Sequence, residues 1–187
     1  LTEFLFVLPK RFFNPILFSL LPIALFGQSE IEFSIDTKVD ALLSKMTLEE
    51  KIGQMNQYNG FWNVTGPSPQ EGYQKEKYDH LAKGLVGSML NVRGAKEVRA
   101  VQEVAVNQSR LGIPLIIGFD LIHGYKTISP IPLAESASWD LEAIKTSAEL
   151  GAKEATAAGI NWTFAPMVDI TRDARWGRVM EGAGEDP

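Results

Sequence analysis

Cysteine is absent from this chain of 187 residues, which contains only two histidines. Without cysteine there can be no disulfide framework, no thiol nucleophile and no thiolate ligand for a metal. His80 and His123 are far apart in the sequence and form no zinc-binding pattern. We therefore expect no metal site and no cofactor, and the stability of the fold must come from packing.

Basic runs and nucleotide-binding motifs are missing as well. The net charge is −5, and there is no basic run beyond Lys10-Arg11, so nucleic acid is not an expected partner. Neither a G-x-G-x-x-G nor a Walker A loop occurs, and no internal repeat is found. Because 45% of the residues are hydrophobic and 22% are charged, the composition is that of a globular domain. These absences favour a neutral or weakly polar small ligand.

The first 27 residues differ from the rest of the chain. Lys10 and Arg11 precede an apolar run over 12–26 that two prolines interrupt. The run is shorter than the ~20 residues that a membrane-spanning helix needs, so a signal peptide is favoured over a membrane anchor. We predict that residues 1–27 form a signal peptide cleaved near Gly27. The mature protein, 28–187, is then periplasmic or secreted, with no membrane association after cleavage.

Helix and strand patterns alternate along the mature chain. Four helices are predicted, over 36–46, 95–110 and 140–158 and in a short segment that begins with a capping box at Thr47–Glu50. Four strands are predicted, over 54–58, 85–92, 114–119 and 160–170. The side chains predicted to face inward are Val98, Val101 and Ala105 in one helix, and Leu141, Ile144, Ala148 and Ala155 in the next. Such alternation implies parallel strands with right-handed crossovers, in either a doubly wound sheet or a (β/α)8 barrel.

Polar residues gather where predicted strands end, which is where parallel α/β folds bind ligands. Asp120 follows one strand, and the segment 175–178 follows the next. A carboxylate can accept hydrogen bonds from two neighbouring sugar hydroxyls, and a guanidinium can donate several in one plane. The pattern suits a polyhydroxylated ligand, although the spacing equally allows Asp120 and Arg178 to pair with buried partners. Phe61 and Trp62, on a polar loop, are open to both sugar stacking and simple packing.

Several segments together resemble one enzyme family. They are Met46–Met55, Gly118–Gly124, Arg172–Arg178, Glu181-Gly182 and Gly184–Pro187. Their order and spacing are similar to the N-terminal domain of glycoside hydrolase family 3, especially its bacterial periplasmic β-glucosidases, from about Val39 to Pro187. The resemblance implies an α/β fold, a partial (β/α)8 TIM-like barrel comprising about the first half of the N-terminal domain. Residues 28–187 are then an incomplete domain of this family.

The resemblance also implies roles for particular residues. Asp120 and Arg178 match family positions that bind the sugar in subsite −1. His123 resembles a structural histidine packed behind Asp120, not a catalytic one. Arg175 and Glu181 resemble members of a charge network, with Glu185 and Asp186, that fixes the loop. The implied partner is a β-linked oligosaccharide or glucoside, and no cofactor is implied.

The catalytic pair of the family is not expected in this chain. The family nucleophile is an aspartate in a Ser-Asp-Trp or Thr-Asp-Trp motif, which this sequence lacks, and the acid/base group commonly comes from the second domain. Both are expected beyond Pro187, so the full-length protein is predicted to hydrolyse β-glucosides and this fragment is not. Asp169 ends a predicted strand as the nucleophile does, but it matches a different family position.

One departure from the family pattern is Ser129, where members usually have an aromatic residue, commonly Phe. Loss of a large apolar side chain costs roughly 2 to 5 kcal/mol unless a neighbour compensates. The alternatives that stay open are a β-xylosidase or N-acetylglucosaminidase of the same family and a non-catalytic carbohydrate-binding relative. An unrelated barrel enzyme of metabolism is disfavoured by the signal peptide and by the lack of a phosphate-binding loop.

Overall fold

The computed structural model describes residues 34–60 and 71–186. The predicted signal peptide and the loop aromatics Phe61 and Trp62 lie outside the described residues. The helices are α1 (Ile35–Leu43), α2 (Leu48–Gln54), α3 (Gly72–Ala82), α4 (Ala95–Gln108), α5 (Pro132–Ala137) and α6 (Leu141–Ala157), with a 3₁₀ turn at Val179–Glu181. The strands are β1 (Gln57–Asn59), β2 (Ser88–Leu90), β3 (Ile116–Phe119) and β4 (Trp162–Thr163).

The described strands form one parallel sheet in the order β1-β2-β3-β4. In register, Asn59 lies beside Leu90, Leu90 beside Gly118, and Gly118 beside Trp162. A doubly wound sheet reverses its strand order at a switch point, whereas a barrel adds each strand beside the previous one. The sequential order therefore makes the fold a partial (β/α)8 barrel, as the family resemblance predicts.

The hydrophobic core lies between the sheet and the helices that follow β1 and β2. Met89 of β2 and Ile117 of β3 are fully buried, at 0% exposure. Helix α4 contributes Val98, Val101 and Ala105, all buried, which confirms the inward face predicted for this helix. Burial of each of the larger side chains contributes about 1.5 to 3 kcal/mol, so the strands that lead to the cleft are held by a packed core.

Helix α2 begins at the predicted capping box. The Thr47 hydroxyl accepts a hydrogen bond from the Glu50 amide at 3.2 Å, and the Glu50 carboxylate accepts one from the Thr47 amide at 2.9 Å. Arg110, beyond the end of α4, also donates to the Glu50 carboxylate, at 2.5 and 3.0 Å. The Arg110 hydrogen bond and then the Thr47 amide lower the pKa of Glu50. The capping box therefore joins α2 to α4, and its hydroxyl contributes ~1 kcal/mol.

Two predictions about the last helix and strand are wrong. In α6, Leu141 is 79% exposed and Ala148 is exposed; Ile144 is half-buried, and only Ala155 of the predicted inward face is buried. Only the C-terminal half of the helix packs against the core, so its first turns are exposed to solvent. The predicted strand 160–170 pairs only at Trp162–Thr163. The chain then reaches Pro166, which has no N–H to donate to a strand ladder.

Two helices are absent from the sequence prediction. Helix α3 has few apolar residues and packs through Leu81 and the buried Lys77. The ammonium of Lys77 donates to the carbonyl of Asn59 at 3.0 Å and lies 4.6 Å from the centre of the Tyr73 ring. Helix α5 is only six residues long and starts at Pro132, too short for a periodic signal. Within the described ranges, no helix has the length and apolar character needed to cross a bilayer.

Candidate functional site

A cleft of about 440 Å³ opens beside the carboxyl end of β3. One wall comes from the loop that follows β3 and from the start of α5; the other comes from the segment around the 3₁₀ turn. The lining residues are Asp120, Ile122, His123, Ile131, Pro132, Arg178, Met180 and Glu181. The cleft therefore brings together Asp120 and Arg178, which are 58 positions apart in the sequence.

The alternation of side chains along β3 directs Asp120 into the cleft. Phe119 is buried on the helix side of the sheet, where its ring meets the Tyr125 ring edge-on at 5.3 Å. Gly118 faces the opposite side, where a Cβ would lie 2.9 Å from the Phe164 ring. Because successive side chains of a strand alternate, Asp120 points to the same side as Gly118. That side is the interior of the partial barrel, at its mouth.

Arg178 is held in the cleft by Glu181. The Nε of Arg178 donates to both carboxylate oxygens of Glu181 at 3.1 Å, and Nη2 donates to Oε2 at 2.5 Å. These hydrogen bonds raise the pKa of Arg178, to which the carboxylates of Asp169 and Asp120 add smaller electrostatic effects. The same pair lowers the pKa of Glu181. Among the described residues, Nη1 makes no hydrogen bond, so one edge of the guanidinium remains for a ligand.

His123 lines the same cleft, and its ring is tied to its own loop. Its Nδ1 lies 3.2 Å from the carbonyl oxygen of Ser129, while the Ser129 amide donates to the carbonyl of His123 at 2.9 Å. These contacts close the loop across the base of a turn. The contact with the Ser129 carbonyl fixes the orientation of the His123 ring. Among the described residues, Nε2 of His123 makes no hydrogen bond.

The Ser129 side chain is paired with a second hydroxyl. The Ser147 hydroxyl, on α6, donates to the Ser129 hydroxyl at 2.6 Å. Each of the two hydroxyls therefore has a hydrogen-bond partner; whether this offsets the lost apolar packing stays a prediction.

The structure does not bring Arg175 to the cleft. Its guanidinium pairs with Asp173, two residues away, and its side chain is 90% exposed. Asp169 is exposed, close enough to Arg178 to affect its pKa. Glu185 and Asp186 are exposed and make no ion pair with another described residue. Of the charge network that the resemblance implies, only Glu181 touches the arginine of the cleft.

Sequence reasoning missed the apolar part of the cleft. Ile122, Ile131, Pro132 and Met180 line it between the charged groups. The sequence could have indicated these residues only by their closeness to predicted site residues: Ile131 and Pro132 follow the loop that contains Asp120, and Met180 lies two positions after Arg178. Apolar surface beside a few polar groups is the usual makeup of a small-molecule site, since it strengthens hydrogen bonds by excluding water.

The fold and the cleft together define a class of protein. Parallel strands in sequential order, with polar side chains at their carboxyl ends, are the arrangement of (β/α)8-barrel enzymes, whose ligands bind at that end. A carboxylate and a guanidinium across an open, partly apolar cleft suit an uncharged ligand rich in hydroxyl groups.

Comparison with known proteins identifies the family. Residues 47–187 match the model of the glycosyl hydrolase family 3 N-terminal domain, and the chain belongs to this family. It is 41% identical over 151 residues to a periplasmic β-glucosidase of Salmonella typhimurium, an alignment that covers 81% of this chain and 19% of the relative. It is 31% identical over 184 residues to a lysosomal β-glucosidase of Dictyostelium discoideum, covering 86% of this chain and 22% of that one.

Solved structures give the same result for the fold. A β-glucosidase from Listeria innocua, crystallised in complex with glucose, superimposes with a TM-score of 0.68 at 42% sequence identity. The match covers 80% of this chain and 21% of that chain. The chain therefore spans about a fifth of the length of each of these three relatives.

Proposed function

We propose that the protein containing this chain is a retaining β-glucosidase, which hydrolyses terminal non-reducing β-D-glucosyl residues of oligosaccharides or glucosides. Asp120 and Arg178 bind hydroxyls of the terminal sugar, and the apolar wall of the cleft packs against its ring. His123 and Glu181 hold the loop and the guanidinium in place. The observation that carries this proposal is the convergence of Asp120 and Arg178 on one cleft at the barrel mouth.

In a retaining mechanism, a carboxylate nucleophile forms a covalent glycosyl-enzyme while a second carboxylic acid protonates the leaving oxygen. The second group then activates the water that releases the sugar. We propose that both groups come from segments after Pro187, as the family pattern implies. Asp169 is exposed near Arg178, and we assign it no role in bond cleavage.

Export is part of the same proposal. The basic and then apolar pattern of residues 1–27 is that of a signal peptide, and one relative is a periplasmic enzyme. We propose a periplasmic or secreted location, where a hydrolase of this class meets oligosaccharides from outside the cell.

The 187-residue chain is expected to show no turnover of an aryl β-glucoside, because it holds the sugar without the groups that break the bond. The measurement is release of the chromogenic phenol over hours, compared with the same chain extended through the rest of its gene. The extended protein is expected to cleave the glucoside. A matched aryl β-xyloside tests the alternative specificity, because xylosides lack the C6 hydroxymethyl group.

Asp120-dependent turnover by the 187-residue chain would contradict the assignment of the catalytic groups. Faster cleavage of the xyloside by the extended protein would replace the β-glucosidase assignment with a β-xylosidase one. No cleavage of any glycoside by the extended protein would favour a non-catalytic carbohydrate-binding relative.

A further inference from the structure

The loop between β3 and α5 builds most of one wall of the cleft. It contributes Asp120, Ile122, His123 and Ile131, and Pro132 follows it at the start of α5. Between His123 and Ser129 the loop folds back on itself, with an antiparallel bridge between Gly124 and Ile128. The position of this turn therefore sets where His123 stands in the cleft.

The tip of the turn is fastened to α6 by Glu154. The amides of Lys126 and Thr127 both donate to Oε2 of Glu154 at 2.8 Å, and the Thr127 hydroxyl donates to Oε1 at 2.7 Å. Both carboxylate oxygens are used, and all three donors come from the tip. The hydrogen bonds from the Thr127 amide and hydroxyl, and then from the Lys126 amide, lower the pKa of Glu154. The group is thus a carboxylate at neutral pH, and its hydrogen bonds are charge-assisted.

Two further contacts lie along the same line of α6. The Ser147 hydroxyl donates to the Ser129 hydroxyl at 2.6 Å. A Cβ on Gly151 would lie 3.6 Å from the Cα of Gly124, so the helix and the turn pack backbone to backbone there. Residues 147, 151 and 154 are spaced four and three apart, which places them on one face of a helix. We call Ser147, Gly151 and Glu154 the loop-binding face of α6.

The loop-binding face is distinct from the residues that line the cleft. None of its three members is among the lining residues, yet each contacts the short segment that runs back from His123 to Ser129. The sequence alone gives no sign of this, since Glu154 reads as one more charged residue of an amphipathic helix.

We propose that Glu154 is a positioning residue for the sugar-binding cleft: through the turn 124–127 it fixes the loop that presents Asp120 and His123. The proposal rests on the proposed function, because it assumes that the cleft binds a sugar. Without the Glu154 carboxylate, the three donors at the tip of the turn hydrogen-bond to water instead. The loop then adopts a range of positions, in some of which the wall of the cleft is displaced. The apparent affinity for the sugar then falls, because part of the binding free energy is used to return the wall of the cleft to its binding position.

The test is a titration of the isotope-labelled 187-residue chain with D-glucose, followed by backbone amide shifts, in four variants. Glu154→Ala is expected to weaken binding ~10-fold, the change that about 1.4 kcal/mol produces. Glu154→Gln is expected to restore affinity to within about threefold, because its carbonyl can accept from both amides while its NH₂ donates to the Thr127 hydroxyl.

Thr127→Val removes one of the three hydrogen bonds to Glu154 and is expected to weaken glucose binding about two- to threefold. This variant tests the proposal even if the Glu154→Ala chain does not fold. Glu149→Ala is the matched control, since Glu149 lies on α6 and its carboxylate forms an ion pair with Lys153 at 3.7 Å; its affinity is expected to be unchanged. Amide hydrogen exchange at Lys126 and Thr127 is expected to accelerate in Glu154→Ala.

A folded Glu154→Ala chain that binds glucose as the unaltered chain does, even with a lower melting temperature, would show a merely structural role and overturn the proposal. So would equal losses in the Ala and Gln variants, since the hydrogen-bond geometry would then not matter. Absence of saturable glucose binding by the unaltered chain is a different result, because it contradicts the proposed function itself.

Discussion

Replacing Asp120 by alanine is expected to abolish measurable glucose binding by this chain. Hydrogen bonds to a charged group contribute about 1.5 to 3 kcal/mol each, so losing two of them lowers affinity at least ~100-fold. Asp120 is exposed at the mouth, so its removal leaves the core intact and the loss is one of recognition. The measurement is the same glucose titration, with melting temperatures recorded to exclude unfolding.

Two further variants separate charge from shape at this position. Asp120→Asn keeps the size and one acceptor but replaces the other oxygen by a donor, and we expect a loss of ~10-fold or more. Asp79→Asn is the control, because Asp79 is a carboxylate on α3 that pairs with Lys75 away from the cleft. Unchanged affinity in Asp120→Ala would remove Asp120 from the sugar site.

The second large effect is expected from Gly87→Ala, which should destabilise the fold by ~3 kcal/mol or more. A Cβ at this position would lie 2.0 Å from the carbonyl oxygen of Gln54, a backbone atom that cannot rotate away. The amide of Gly87 also donates to the carbonyl of Asn56 at 3.1 Å, and its carbonyl accepts from the amide of Ile116 at 3.0 Å. The substitution therefore pushes apart the starts of three neighbouring strands.

Urea unfolding followed by circular dichroism measures this change. Gly177→Ala is the matched control, since a Cβ there would meet no atom within 4 Å, and we expect a change within about 0.5 kcal/mol. Equal unfolding midpoints for the two variants would show that the close approach between Gln54 and Gly87 is relieved without cost.

The alternation of helices and parallel strands was predictable from the sequence because each of its signals is local, whereas the barrel itself was expected from the family resemblance. The capping box at Thr47–Glu50 and the buried face of α4 follow from spacing within a single element, and both are confirmed. The segments 114–119 and 85–92 contain the observed strands β3 and β2. The choice between a doubly wound sheet and a barrel needed the order of the strands, which no single element encodes.

The errors arose where one element depends on a distant one. Leu141 has the spacing of a core residue, but α6 reaches the sheet only near Ala155, so its start is exposed. Helix α3 buries Lys77 and Leu81, and Tyr78 and Ala82 pack partly buried against the core, so its core-facing residues are confined to its C-terminal half. Strand pairing ends after Thr163, as the chain approaches Pro166. The apolar pattern of the sequence continues beyond that point and still predicts a strand.

The same distinction applies to the site. Asp120 and Arg178 were predicted as sugar-binding residues from motifs, and the structure places both on one cleft; their role stays a prediction. The contacts of Lys126 with Glu154 and of Ser129 with Ser147 join residues 28 and 18 positions apart. No motif marks such a contact, because it depends on how a helix lies against a loop.

The most direct test of the account is a site-resolved titration of the unaltered, isotope-labelled chain with D-glucose, with D-mannitol as an acyclic polyol control. We expect saturable amide shifts at Asp120, His123 and Arg178 with glucose and not with mannitol. Shifts that are absent, unsaturable, equal for both polyols or centred on another surface would contradict the claim that this chain carries the sugar-binding cleft.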